Sequence, residues 1–297
     1  MRESLQLKAY GKINLGLDVV RRREDGYHEV RMIMQTVKLY DKLTFRLLDE
    51  DVIRIKTNLE FLPVNEDNLI YRAVKLLKDT YHVKRGMEID LFKCIPVAAG
   101  MAGGSADCAA AFVGAARLFD LHLSKKTLME LGVQLGADVP YCVLRGTALS
   151  EGIGEVLTSL PPIPDCHILI AKPPIGVSTK FVYGHLDAAG LKKHPDIDGM
   201  ADAIRTGDLA GITDRMENVL ETVTVPEYPV IEEIKNCMKE NGAMNALMSG
   251  SGPTVFGIFR EKDKEAAEQA KDLIRKKELA NHVFLVKPFN QEVQIWS

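Results

Sequence analysis

No pair of cysteines in this sequence has the spacing of a metal site or of a disulfide framework. The five, Cys94, Cys108, Cys142, Cys166 and Cys237, are scattered and odd in number, with no CxxC and no Cys/His cluster. Reduced thiols fit a cytoplasmic protein. No run approaches ~18 apolar residues, so no membrane-spanning helix is expected. The opening MRESLQLKAY lacks an apolar h-region, so no secretory leader is expected either. Neither charge dominates: 38 Lys and Arg stand against 41 Asp and Glu, net -3. That balance argues against a general partner for nucleic acid or an anionic membrane. Repeats and low-complexity tracts are also missing. The remainder, 297 residues with 46% hydrophobic and 27% charged, suits a soluble globular chain of two domains.

The first sixty or so residues are β-rich, with short runs at 5–9, 13–20, 30–37, 42–47 and 52–55 broken by turn residues. In NEDNLIYRAVKLLKDTYHV, apolar Leu69, Ile70, Ala73, Leu76, Leu77 and Tyr81 recur at helical spacing, and Asp67 or Asn68 can cap the start. A strand at 87–94 leads into PVAAGMAGGSADCAAAF, followed by a helix to about Phe119 and another over 125–135 behind Ser124. Two β segments, 146–150 and 155–157, precede the loop-like SLPPIPD, where the domain boundary is placed: 1–160 and 161–297. The second half reads as strand 167–172, helices 178–186, 198–205, 207–221 and 227–240, strands 243–248 and 254–259, helix 263–276 and strand 282–287. A β-α-β-β-α-β rhythm of this kind predicts an antiparallel sheet with helices on one side.

The glycine-rich stretch has neither the lysine of a Walker A loop nor the G-x-G-x-x-G fingerprint. Anion binding requires neither. It requires free backbone N–H groups, no Cβ in the way and a helix N-terminus behind them. Gly100, Gly103 and Gly104 supply the first two, and the alanine-rich run supplies the helix. Ser105 then stands where an N-cap would, with Asp107 in the first turn. A strand-to-helix turn with small residues for close packing would look similar.

PVAAGMAGGSADCAAA resembles the phosphate loop P-x-x-x-G-[LM]-[GA]-[GS]-S-x-[AD] of the GHMP kinases, with Ala99 and Ala102 where glycine is frequent. AYGKINLGLDV at 9–19 resembles the N-terminal motif of these kinases, and LMSGSGPTVFGIF at 247–259 their C-terminal glycine loop. RREDGYHEV at 22–30 and LGADVPYCV at 135–143 resemble the branch whose acceptor is a cytidine diphosphate methylerythritol of non-mevalonate isoprenoid (terpenoid) biosynthesis. The resemblance implies an α+β, two-domain GHMP kinase fold, its N-terminal domain like a ribosomal-protein domain and its C-terminal domain ferredoxin-like. It implies ATP and Mg²⁺, a small-molecule partner, and neither nucleic acid nor membrane.

Phosphoryl transfer to an alcohol calls for a phosphate cradle, charge neutralisation and help with the hydroxyl proton. Asp138 in GADVP is the candidate base, though it could equally be a turn carboxylate before Pro140. Lys12 is the candidate electrostatic partner; a lysine at a strand start is more commonly solvated, but here Ile13 and Leu15 flank it. The resemblance implies that Lys12 and Asp138 face each other across the acceptor hydroxyl. Asn14 lies on the same strand face as Lys12 by period-2 alternation and could bond the acceptor. Tyr27 and His28 would hold the cytosine, or form an ordinary hairpin tip. The resemblance places Pro96, Val97, Ala98, Ala99, Gly100, Met101, Ala102, Gly103, Gly104, Ser105 and Ala106 around the ATP phosphates, and Lys93, Asn68 and Leu69 near the adenine. Phe181 and Tyr183 are second candidates to stack on cytosine, or helix core residues. Ser105 or Asp107 could offer oxygen to Mg²⁺, whose protein ligands stay unassigned. Other small-alcohol kinases of the superfamily, such as homoserine or mevalonate kinase, lack an evident need for DGYHEV. A non-catalytic nucleotide-binding protein and an RNA-binding module remain as alternatives from other classes.

Overall fold

The structure, a computed structural model, describes residues 3–290. Its contacts gather into two compact units: 1–11, 39–97 and 102–144 form the first, and 12–38, 98–101 and 145–297 the second. β1 (Ser4–Arg22) and β2 (His28–Leu48) each run through both. Turn residues predict a break in each of these strands, but both are continuous. In β2 the Lys38 amide donates to the Lys287 carbonyl at 2.9 Å, so the backbone keeps a partner where the side chains turn polar.

In the first unit, β3 (Ile53–Thr57) pairs parallel with β4 (Gly86–Phe92), and β4 pairs antiparallel with Lys42–Leu48 of β2. α1 (Leu69–Tyr81) packs on β3 and on α2 (Gly103–Leu118), and α2 in turn packs with α3 (Lys125–Val133) and α4 (Val139–Leu144). Asn68 caps α1 by accepting from the Ile70 amide at 2.9 Å, and Ser124 caps α3. α2 is buried along nearly its whole length from Ala106. A Cβ at Gly114 would come within 2.7 Å of the Phe45 ring. The small residues therefore do serve close packing, from the second turn onward.

Two expectations are corrected here. α2 begins at Gly103 behind Ala102, which holds a left-handed φ of 53° and makes no side-chain cap, so Ser105 is inside the first turn rather than capping it. Asp107 is thereby one turn in, and buried. α4 is a short helix where GADVP suggests a turn; Pro140 fits because the first amides of a helix need no partner.

In the second unit, β5 (Thr147–Glu151) pairs with Met32–Gln35 of β2 and with β6 (Val156–Leu160). After β7 (Cys166–Lys172) come α5 (Thr179–His185), α6 (Ile197–Thr206), α7 (Leu209–Asp214), α8 (Glu221–Glu227) and α9 (Val230–Glu240). β8 (Asn245–Met248), β9 (Val255–Arg260), α10 (Lys264–Lys276) and β10 (His282–Val286) complete it. The four strands form an antiparallel sheet in the order β10-β7-β9-β8, with α9 and α10 packed on it. This is the ferredoxin-like order the rhythm predicts.

The helix expected over 207–221 stops at Asp214, and the next helix begins only at Glu221. Between α7 and α8, Glu217 and Val219 exchange backbone hydrogen bonds with Leu17 of β1, at 2.9 and 3.0 Å. Asn218 donates to the carbonyls of Met248 and Gly250 at 2.9 and 2.8 Å and accepts from the Leu220 amide at 3.0 Å. Strand pairing and the side chain of Asn218 thus replace helical hydrogen bonds over these residues.

Candidate active site

Period-2 alternation puts Lys12 and Asn14 on one face of β1, and both are buried, at 5% and 0% exposed. A buried ammonium requires partners. Lys12 Nζ donates to Asn14 Oδ1 at 2.7 Å and to the Gly100 carbonyl at 3.3 Å, and its backbone amide donates to Met101 O at 3.1 Å. The same Gly100 oxygen accepts from Ser249 Oγ at 3.0 Å. A Cβ at Gly250 would lie 3.4 Å from Asn14 Oδ1 and 3.7 Å from Lys12 Nζ. Three motifs far apart in sequence therefore meet around one carbonyl oxygen. Gly100 cannot be replaced easily: its φ is +70°, and a Cβ would sit 2.2 Å from the Ser249 carbonyl. Gly100→Ala should lower stability by roughly 1–3 kcal/mol or more, read as a fall in Tm by calorimetry; an unchanged Tm would contradict this loop geometry.

In the first unit, the loop leaves through Ala102 into α2. Gly103, Gly104 and Ser105 form the first turn, whose amides have no helical partner, and Gly104 is exposed. Pro96 is buried and Val97 exposed at the loop's beginning; Ala98 and Ala99 follow, with Ala98 also at a left-handed φ, 52°. Ala106 donates its amide to Ala102 O at 2.8 Å. A Cβ at Gly136 would be 4.0 Å from Ser105 Oγ, so the GADVP segment runs beside the phosphate loop's serine. Asp138 is half-buried at the start of α4, where its carbonyl accepts from the Cys142 amide at 3.0 Å.

Lys93 is buried, and its ammonium lies between two carboxylates, Asp41 Oδ2 and Asp107 Oδ2, the latter at 2.7 Å. Asn58 holds its backbone on both sides, donating to Lys93 O at 3.2 Å and accepting from Lys93 N at 2.7 Å. Burial alone would push the Lys93 pKa down, but the two carboxylates prevail and hold it above its ordinary value. Burial also holds the Asp107 carboxyl well above the usual carboxylate range; Lys93 opposes this and Asp41 reinforces it. Asn68 has both ends of its side chain engaged, by the Ile70 amide and by Pro63 O at 2.7 Å. Leu69 opens α1, and its Cδ1 lies 3.8 Å from the position of a Gly104 Cβ.

The hairpin between β1 and β2 presents Tyr27, 61% exposed, with its amide bonded to Asp25 Oδ1 at 3.1 Å. His28 turns toward α5: its ring centroid is 5.2 Å from that of Tyr183. Phe181, on the same helix, stacks with His185 at 4.1 Å. Burial, then Arg22, lowers the His28 pKa, which favours a neutral ring. α5 is tied to the C-terminal glycine loop by a 2.9 Å hydrogen bond between Thr179 and Ser251.

Sequence reasoning missed Asp41, Asn58, Ser249 and Asn218. Asp41 carried one signal: a lone aspartate inside the strand run KLYDKL. The others depend on partners distant in sequence.

The GHMP kinases N terminal domain family matches residues 68–146, and the GHMP kinases C terminal family matches 200–278. A 4-diphosphocytidyl-2-C-methyl-D-erythritol kinase of Lachnospira eligens is 58% identical over 287 residues, covering 97% of this chain and 99% of the relative. One of Clostridioides difficile is 44% identical over 292 residues, covering 98% and 97%. A crystal structure of 4-(cytidine 5'-diphospho)-2C-methyl-D-erythritol kinase superposes with a TM-score of 0.82 at 28% identity, over 97% of this chain and all of the other. A homoserine kinase structure from Cytophaga hutchinsonii, at TM-score 0.79 and 20% identity over 98% and 96%, shares the fold. The fold and site thus define a GHMP kinase. Within that class, the chain belongs to the 4-diphosphocytidyl-2-C-methyl-D-erythritol kinase family.

Proposed function

We propose that this chain transfers the γ-phosphoryl group of ATP to the 2-hydroxyl of 4-(cytidine 5'-diphospho)-2-C-methyl-D-erythritol. The products are the 2-phosphate and ADP, in the non-mevalonate isoprenoid pathway. The observation that carries this reading is the buried Lys12 ammonium on Asn14 and on the Gly100 carbonyl, which joins the strand motif to the phosphate loop. The loop from Pro96 to Ala106 would hold the triphosphate by backbone amides, helped by the α2 dipole. Lys12 would neutralise charge developing on the transferred group, and Asp138 would take the hydroxyl proton. Asn14 would orient the acceptor, while Asn68, Leu69 and the backbone at Lys93 would flank the adenine.

Mg²⁺ would arrive with the nucleotide and neutralise its phosphates. Among the described residues no group of three or more His, Cys, Asp and Glu is gathered to hold a metal. That fits an ion carried largely by phosphate oxygens and water. No described helix is long and apolar enough to cross a membrane. A division of the chain near residue 160, into 1–160 and 161–297, and a cytoplasmic location belong to the same proposal.

The test is ADP release with Mg-ATP and a panel of alcohols: the cytidine diphosphate methylerythritol, homoserine and mevalonate. Turnover should be confined to the first. Faster turnover of either other alcohol overturns the reading.

Tyr27 and His28 would select the nucleobase, by stacking and by bonding its edge, with Tyr183 behind His28 and Phe181 a further stacking ring. Tyr27→Ala should raise KM for the cytidine substrate by the ~1–3 kcal/mol of a base–aromatic stack, with KM for ATP unchanged. The uridine analogue should be a poor substrate, since its edge leaves buried polar groups unpaired. Equal use of cytidine and uridine acceptors in steady-state kinetics would remove the cytosine assignment.

A further inference from the structure

We propose that Lys93 is a positioning residue of the nucleotide phosphate site: clamped between Asp41 and Asp107, its ammonium fixes the start of the phosphate loop and the first turn of α2 without itself touching the nucleotide. This rests on the reading that the loop binds the triphosphate. The Lys93 side chain is 4% exposed, so a phosphate cannot reach its ammonium. The ammonium instead lies beneath the helix start: a Cβ at Gly103 would be 3.3 Å from Lys93 Nζ and 3.1 Å from Ile95 Cγ2.

Asp41, fully buried, bonds three successive residues. Its Oδ2 takes the Lys93 ammonium, and its Oδ1 accepts from the amides of Cys94 and Ile95 at 2.5 and 2.8 Å. Asp107 brings α2 to the same ammonium at 2.7 Å. One lysine thereby links the residues just before the loop to the helix just after it. The span between them, Pro96 to Ala102, includes left-handed alanines at 98 and 102, conformations that hold only where the surroundings over-determine them.

The charge balance agrees. One ammonium between two ionised carboxylates would leave net negative charge behind a helix start that must accept a triphosphate. Asp107 Oδ1 is buried with no hydrogen-bond partner, which an ionised carboxylate tolerates poorly. A proton held on this carboxyl makes the cluster neutral, so the helix dipole is not opposed.

The experiment measures KM for ATP and for the cytidine acceptor in Lys93→Met and Asp41→Asn, with melting curves and calorimetric titration of the wild type by Mg-ATP. Absent wild-type ATP binding would refute the loop reading itself, independently of Lys93. With binding present, Lys93→Met should raise KM for ATP roughly tenfold or more, the scale of a displaced positioning group, and leave the acceptor KM within about twofold. Asp41→Asn should raise KM for ATP as well, and the double variant should do little worse than the weaker single. If Lys93 bonded the nucleotide directly, Asp41→Asn would free its ammonium, and KM for ATP would hold or fall; that result overturns the proposal. So does a parallel rise of both KM values in variants that melt like the wild type. Should Lys93→Met not fold, Asp41→Asn decides, since its amide oxygen can still accept from Cys94 and Ile95.

Discussion

A folded Asp138→Asn variant should keep its affinity for ATP and lose on the order of 10²–10⁴ in kcat, the scale of a positioned proton acceptor. The amide retains the shape of the carboxylate but cannot take a proton from the acceptor hydroxyl. The backbone at Asp138 is fixed by the first hydrogen bond of α4, and the residue is half-buried. Lys12→Met should fall by a similar factor, since it removes the charge proposed to face the transferred group. It also takes a donor from Asn14 Oδ1 and from the Gly100 carbonyl, so some stability will go with it. The Asp138→Asn/Lys12→Met double variant should lose little more than either single if, as proposed, the two groups act as one unit on one proton and one phosphoryl. Steady-state kcat with circular dichroism as a folding control is sufficient. Normal turnover in Asp138→Asn would dismiss it as an essential group, and fully multiplicative losses would separate the two roles.

Gly103→Val should raise KM for ATP at least tenfold, through a route that the sequence does not show. A side chain at this position looks at first as if it would cover the amides. In the structure its Cβ points inward, at Ile95 and Lys93, so valine would lever the first turn of α2 off its support. Displacing a helix start by about an ångström is enough to spoil converging donors. Ser105→Ala should be mild by comparison, because Ser105 sits within the turn and does not cap it. Calorimetric titration with Mg-ATP separates the cases. A Gly103→Val protein that binds ATP normally would leave the glycines with a packing role alone.

The motifs were legible because they are local: a run of glycines, a lysine two residues before an asparagine, a DGYHEV turn. The ferredoxin-like order was legible from its rhythm. What stayed hidden depends on non-local pairing. Residues 217–219 look helical and pair instead with Leu17, two hundred residues earlier in the chain. Ser105 looks like a cap, yet the chain turns earlier, at Ala102, in a backbone conformation that alanine rarely adopts. The resemblance puts Lys93 near the adenine, and nothing short of the fold reveals that Asp41 and Asp107 enclose its ammonium.

The shared oxygen of Gly100 has a consequence for biosynthesis. Ser249 leaves the ribosome long after Lys12, and both must reach the same carbonyl. Until then a buried-type lysine and Asn14 wait without the second glycine loop that packs beside them. Contacts of such sequence separation form late and slowly. Nascent chains stalled before residue 249 should therefore remain incompetent for phosphoryl transfer however well their first hundred residues have condensed. The activity would switch on in a single event, when the segment carrying Ser249 clears the exit tunnel and reaches Gly100.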